Sequence, residues 1–136
     1  MHEIEKRVYS EPWSQSLLED SLRAAMTYGL GLFIDEQLIA YAIYQVVLEE
    51  GHLLNLATDD KFQRQGVGAA LLDELIKECR RLGALVIFLE VRVSNQAAQD
   101  LYQKKAFKPL MLRENYYADG ESALMMILNL EEAKTN

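Results

Sequence analysis

The chain has 136 residues, half of them hydrophobic, with 21 acidic against 14 basic side chains and a formal net charge of −7. That length buries one real core and not two, so residues 1–136 read as a single domain, and the acidic balance excludes a general nucleic-acid binder, whose affinity depends on phosphate neutralisation. A lone cysteine excludes an internal disulfide, and strand-sized apolar runs behind an acidic start exclude a membrane span and a secretory leader, which predicts a cytoplasmic protein with no membrane partner.

His2 to Tyr9 alternates charged and apolar residues like the end of a helix, and Glu11-Pro12-Trp13-Ser14 breaks it, because proline bars the residue before it from helix. Ser16-x-x-Glu19 forms a capping box ahead of Leu17, Leu18, Leu22, Ala25 and Met26, so a second helix is predicted to about Tyr28, ended by Gly29 and Gly31. Leu32-Phe33-Ile34 begins a strand that turns at Asp35-Glu36-Gln37 into the alternating run Leu38 to Leu48. After Glu49-Glu50-Gly51, His52 to Thr58 completes an antiparallel meander.

The next stretch carries the strongest functional signal. Gln63-Arg64-Gln65-Gly66-Val67-Gly68 stands between that strand and a clean helix with apolar residues at 67, 71, 75, 79 and 82, closed by Arg80-Arg81 and Gly83. A glycine-rich helix start of this kind can cradle a phosphate, because free N–H groups and the positive dipole end face the anion and the glycines let it approach. A glycine pair alone is a weak signal, and close packing explains many of them. Leu71 occupies the third-glycine position of a dinucleotide fingerprint and no Gly-Lys-Ser/Thr follows, which removes the two familiar phosphate loops. Lys61, Arg64, Lys104 and Lys105 supply local positive charge, and Cys79 falls on the helix's apolar stripe as core packing.

Leu85 to Leu89 is an unbroken apolar run, predicted as a strand buried on both faces and joined to the meander by a parallel crossover. Ser94-Asn95 caps a helix to about Ala106. Phe107 to Arg113 and Ala123 to Leu130 read as strands joined by the loop Glu114 to Ser122, with Pro109 at a bulge or edge. The predicted fold is α/β (α+β), a mixed sheet flanked by helices. Ligands of such sheets bind at the carboxyl ends of the central strands, so Thr58, Glu90 and the helix starts at 66 and 95 should meet.

Three residues there have chemistry. Glu90 ends the apolar run and is either a structural partner of Arg92, two residues on, or a general base for an amine that is protonated at neutral pH. Asn95 is either a plain N-cap or a ligand-binding group. Tyr102 lies two helical turns, about 10 Å, beyond Asn95, close enough in direction for one extended ligand to touch both, and is either a core tyrosine or a functional phenol. His2 and His52 are poorer bases, Ser94 lacks a hydrolase signature, and no Cys/His cluster has metal-ligand spacing, so no metal is expected.

With Asn55-Leu56-Ala57-Thr58, Gln63 to Gly68, Leu89-Glu90-Val91-Arg92-Val93-Ser94-Asn95, Leu101-Tyr102 and Arg113-Glu114-Asn115-Tyr116-Tyr117 in order, the chain resembles the GNAT superfamily of acyl-coenzyme A N-acyltransferases. Within it the chain looks like the ribosomal-protein alanine N-acetyltransferases. The likeness runs from the Pro12-Trp13-Ser14 turn to the last strand. It implies acetyl-coenzyme A as acyl donor, a protein N-terminal amine as acceptor, direct transfer in a ternary complex, and a monomer or weak dimer. It also implies that Leu56, Ala57 and Thr58 offer backbone groups to the acetyl and pantetheine arm, that Arg64, Gln65, Gly66, Val67, Gly68 and Ala69 hold the pyrophosphate, and that Asn95 binds the cofactor. Glu90 would be the base and Tyr102 the acid, and the Arg113 to Tyr117 loop with the Pro12-Trp13 turn would wall the acceptor groove. Two features depart from the pattern: the family's opening strand is missing from the sheet edge, and Gln63 stands where many relatives carry a basic residue. A lysine or small-amine acceptor, and a coenzyme A-binding module without catalysis, are the alternative readings.

Overall fold

The computed structural model describes residues 26–63 and 65–131. Six strands form one sheet in the order β1 (Thr27–Ile34), β2 (Gln37–Val47), β3 (Glu50–Thr58), β4 (Val86–Arg92), β6 (Ala123–Asn129) and β5 (Lys108–Arg113). All neighbours are antiparallel except β3 and β4, which the helix α1 (Val67–Arg81) joins as a parallel crossover. A second helix, α2 (Gln96–Lys104), follows β4. The mixed sheet with helices is the architecture the sequence predicts. The predicted elements before residue 26, including the Pro12-Trp13 turn and the Ser16 cap, lie outside the described residues.

One boundary is corrected. Thr27 to Gly31 belong to β1 and not to a helix ending at Tyr28. Tyr28, Leu30 and Leu32 alternate onto the core, and Tyr28 stacks on Tyr44 of β2 with ring centroids 5.6 Å apart. Gly31 marks close packing instead of a helix stop, because a Cβ there would come within 2.9 Å of Leu38 Cδ1. Period-two packing overrode the apparent helix grammar.

Helix α1 follows its predicted stripe. Leu71, Leu72, Leu75 and Cys79 are buried, and Val67 and Leu82 pack half-buried beside them. Each fully buried leucine contributes on the order of 2 kcal/mol relative to exposure. Gly51 of β3 lets the helix settle, since a Cβ there would lie 3.3 Å from both Cys79 Sγ and Ile87 Cγ1. Burial, and then the neighbouring Glu78, push the Cys79 thiol up to about 12, so it stays a protonated packing group.

Strand β4 departs from the expectation of burial on both faces. Ile87, Leu89 and Val91 are buried on the face that α1 covers, while Val86 and Phe88 are half-buried and Glu90 is exposed. The apolar run hid an alternation whose other face opens at its carboxyl end. Pro109 sits beside a register shift in β5, the outermost strand, as its missing N–H requires.

Candidate active site

The site arises from a bulge. In the β2–β3 ladder Ile43 faces Asn55 and Tyr44 faces Leu53, so Leu54 is an extra residue. Leu53 packs in the α1-side core, whereas beyond the bulge Asn55 turns to the other face and its amide reaches the Tyr41 hydroxyl at 3.5 Å. A bulge bends and twists its strand. Pairing between β3 and β4 accordingly covers only Glu50↔Val86, Gly51↔Ile87 and His52↔Phe88, although both strands run on. The two central strands part like a V, and a cavity of about 880 Å³ opens between their carboxyl ends.

Thr58, Glu90, Gly66 and Asn95 all line this cavity, as the topology predicted. Leu56, Ala57, Gly68, Ala69 and Tyr102 line it as well. Gln65 and Val67 do not. Gln65 is exposed and its amide donates to the Lys61 carbonyl at 3.4 Å, and Val67 packs toward the core. Arg64 lies outside the described residues.

At one end stands the start of α1. Gly66 is its N-cap at φ 79°, a left-handed conformation that costs an L-residue roughly 1–2 kcal/mol, and no side chain caps the helix. Ala70 N–H donates to the Gly66 carbonyl at 3.0 Å, so the N–H groups of Val67, Gly68 and Ala69 precede that bond with no helical carbonyl to accept them. A Cβ on Gly68 would point at Leu101 Cδ2, 3.4 Å away, and at Thr58 Oγ1, 3.7 Å away, narrowing the mouth. Replacing Gly66 by alanine is expected to lower the thermal midpoint by about 3–5 °C, because the strain is conformational and nothing crowds the new methyl. An unchanged melting curve would show that the left-handed cap is dispensable. Gln63 ties the loop back, its amide donating to the Thr58 carbonyl at 3.2 Å. Lys104 lines the cavity, while Lys105 is engaged by Asp73 at 3.0 Å and adds less positive charge than expected.

Glu90, which also lines the cavity, does not pair with Arg92. Its carboxylate meets Arg113 Nε at 3.8 Å and accepts a hydrogen bond from the Tyr116 hydroxyl, which raises the Tyr116 pKa. Arg92 turns to the β5–β6 loop, where Asp119 and Glu121 accept from its guanidinium at 2.8 and 2.9 Å. Asn95 is the N-cap of α2, its side chain accepting from Ala98 N–H at 3.1 Å, and it faces the cavity in the same position. Tyr102 is buried with its ring edge-on to Phe107, and burial first, then the neighbouring Tyr117, drives its pKa upward, so the phenol keeps its proton at neutral pH. Its hydroxyl has no hydrogen-bond partner among the described residues. Tyr117 lines the cavity too, and sequence reading placed it in a wall without foreseeing its contact with Arg92.

Among the described residues no group of three His, Cys, Asp or Glu could hold a metal ion, and no helix is long and apolar enough to cross a membrane. What the site offers is an anion-ready helix mouth, two strands parted from each other, a carboxylate and a protonated phenol around one opening.

A sheet split by a bulge above a glycine-started helix defines an acyltransferase class, and the sequence agrees. The model of the acetyltransferase (GNAT) family matches residues 1–107, and the chain belongs to that family. It is 41% identical over 129 residues to the ribosomal protein bS18 alanine N-acetyltransferase of Salmonella typhimurium, a match that covers 93% of this chain and 86% of the relative. Among solved structures it resembles the ribosomal-protein-S18-alanine N-acetyltransferase from Escherichia coli, with a TM-score of 0.87, 40% identity, and coverage of 94% of this chain and 84% of that one. The fold also matches a GNAT family acetyltransferase from Elizabethkingia anophelis with acetyl-CoA bound, at a TM-score of 0.77, 19% identity, and coverage of 85% and 83%.

Proposed function

We propose that this chain is an acetyl-coenzyme A-dependent N-α-acetyltransferase of the cytoplasm whose acceptor is the N-terminal alanine of ribosomal protein S18. The observation that carries this reading is the single cavity in which a helix mouth, parted strand edges, Glu90 and Tyr102 come together. The Salmonella typhimurium and Escherichia coli relatives are named for that acceptor, and the net charge of −7 favours a basic partner at low salt.

Each part of the cavity takes a role. The N–H groups of Gly66 to Ala69 receive the donor's diphosphate, with Gly68 giving it room, and the stretch of β3 from Leu56 to Thr58 that lines the cavity holds the pantetheine arm as a neighbouring strand would. Asn95 presents its amide to the same arm. Glu90 takes a proton from the acceptor ammonium, and the freed amine attacks the thioester carbon, forming the C–N bond. As the C–S bond breaks, Tyr102 gives its proton to sulfur, and the nitrogen's remaining surplus proton restores the phenol. Amine and thioester become amide and thiol, and the proton on Glu90 passes to water. No acyl-enzyme is required, in keeping with the buried, protonated state of Cys79.

A mass-resolved acetylation assay on peptides tests the reading. An alanine-first peptide with a free N-terminus is expected to gain one acetyl group on its α-amine. Acetylation only of an N-blocked, lysine-containing peptide would move the acceptor to lysine, and donor binding without acetylation of any peptide would leave a coenzyme A-binding module.

A further inference from the structure

The segment after β5 is fastened to β4 by contacts that the sheet does not need. The β4–β6 ladder is complete at Arg92↔Ala123, yet the next residues of β4's exit go on binding the loop. Arg92 Nη1 donates to Asp119 Oδ2 at 2.8 Å and to Glu121 Oε1 at 2.9 Å, Val93 N–H donates to the Ser122 carbonyl at 3.2 Å, and Ser94 N–H donates to Glu121 Oε2 at 2.9 Å. The loop is also closed on itself. Glu121 N–H donates to Asp119 Oδ1 at 2.9 Å, Tyr117 N–H to the Glu121 carbonyl at 3.0 Å, and Gly120 N–H to the Tyr117 carbonyl at 2.8 Å. Over this frame the Arg92 guanidinium lies 4.0 Å from the centroid of the Tyr117 ring, which lines the cavity.

Partial burial sets this network apart from a loose surface pair. The side chains of Arg92 and Glu121 are 22% and 21% exposed, and one planar cation serves two carboxylates and an aromatic face at once. Arg92 shares β4 with Glu90, and the loop it holds carries both Tyr117 and Tyr116, the donor to Glu90. The clamp therefore fixes the loop relative to the carboxylate. It stands beside Glu90 at the carboxyl end of β4.

We infer that Arg92 is a positioning residue: through Asp119 and Glu121 it holds Tyr117 as a rigid wall on the acceptor side of the cavity, and so sets affinity for the acceptor and not for the acyl donor. This rests on the proposed acetyltransferase reading.

Steady-state kinetics with the alanine-first peptide and acetyl-coenzyme A test it on the full chain. Arg92→Gln is expected to raise the acceptor KM about tenfold or more while the donor KM stays within about twofold, the range of coupling between residues of one network. Arg92→Lys should recover part of that loss, because an ammonium can reach one carboxylate but neither forks to two nor lies flat on the ring. The double variant Asp119→Asn/Glu121→Gln, confined to the loop, should reproduce the acceptor effect, and adding Arg92→Gln to it should change little further. If Arg92→Gln folds poorly, the loop variant alone decides. An acceptor KM that does not move, or donor and acceptor KM rising together, overturns the inference while leaving the acetyltransferase reading intact. A wild-type chain that acetylates no N-terminus overturns that reading, and the clamp's role with it.

Discussion

Glu90→Gln is expected to lower kcat/KM at neutral pH by about a hundredfold or more, the usual scale for one general base, with the donor KM nearly unchanged. The substitution keeps shape and keeps an oxygen for the Tyr116 hydroxyl, so what disappears is the capacity to take a proton. The acceptor provides a second signature. An α-amine near pKa 8 is mostly ammonium at neutral pH, and an enzyme without its base must wait for the small free-amine fraction. Activity of Glu90→Gln should therefore climb about tenfold per pH unit until it nears the amine's own pKa, narrowing the gap to wild type in alkaline buffer. A flat ratio between the two across that range would remove Glu90 from proton transfer. Arg113 is the confounding neighbour, since its guanidinium loses a counter-ion 3.8 Å away, and Arg113→Gln should show no such climb.

Tyr102→Phe should cost turnover on the same scale, about a hundredfold, by leaving the departing thiolate unprotonated. Stability should not follow. The Tyr102 ring packs edge-on to Phe107 at 5.8 Å, a contact phenylalanine retains, and Tyr102 lines the cavity, so its hydroxyl is not left buried without a partner and its loss breaks no contact of the core. Removing such a group costs little, so the thermal midpoint should hold while activity falls. That contrast separates a catalytic phenol from a structural one. Full activity in the variant would return Tyr102 to the core, where its burial and its raised pKa would need no further explanation.

Much of the site was legible because its parts are local. The glycine-started helix announces itself through residues within one turn of each other, and the stripe Leu71, Leu75, Cys79 needs only the 3.6-residue period. Asn95 as a cap depends on Ala98, three residues on. The errors came where a local pattern had two solutions. Gly29 and Gly31 read equally as a helix stop and as flat residues in a packed strand, and the contact that decides, Gly31 against Leu38, lies across a turn. The Leu85 to Leu89 run concealed an alternating strand, because Phe88 is apolar on the half-buried face where a polar residue would have revealed the period.

Sequence alone determined the order of elements, the meander leading into a phosphate-ready helix, and the pair of acid and phenol placed after it. Each of these is encoded by residue spacing and backbone grammar over a few positions. Only the tertiary structure decided that Leu54 is a bulge, that β3 and β4 therefore part beyond His52, and that β6 enters between β4 and β5. It alone turned Arg92 away from Glu90, two residues back, toward Asp119, 27 residues on. Register and strand order depend on which distant edges satisfy each other's hydrogen bonds, and that is a property of the folded sheet and not of any single stretch of chain.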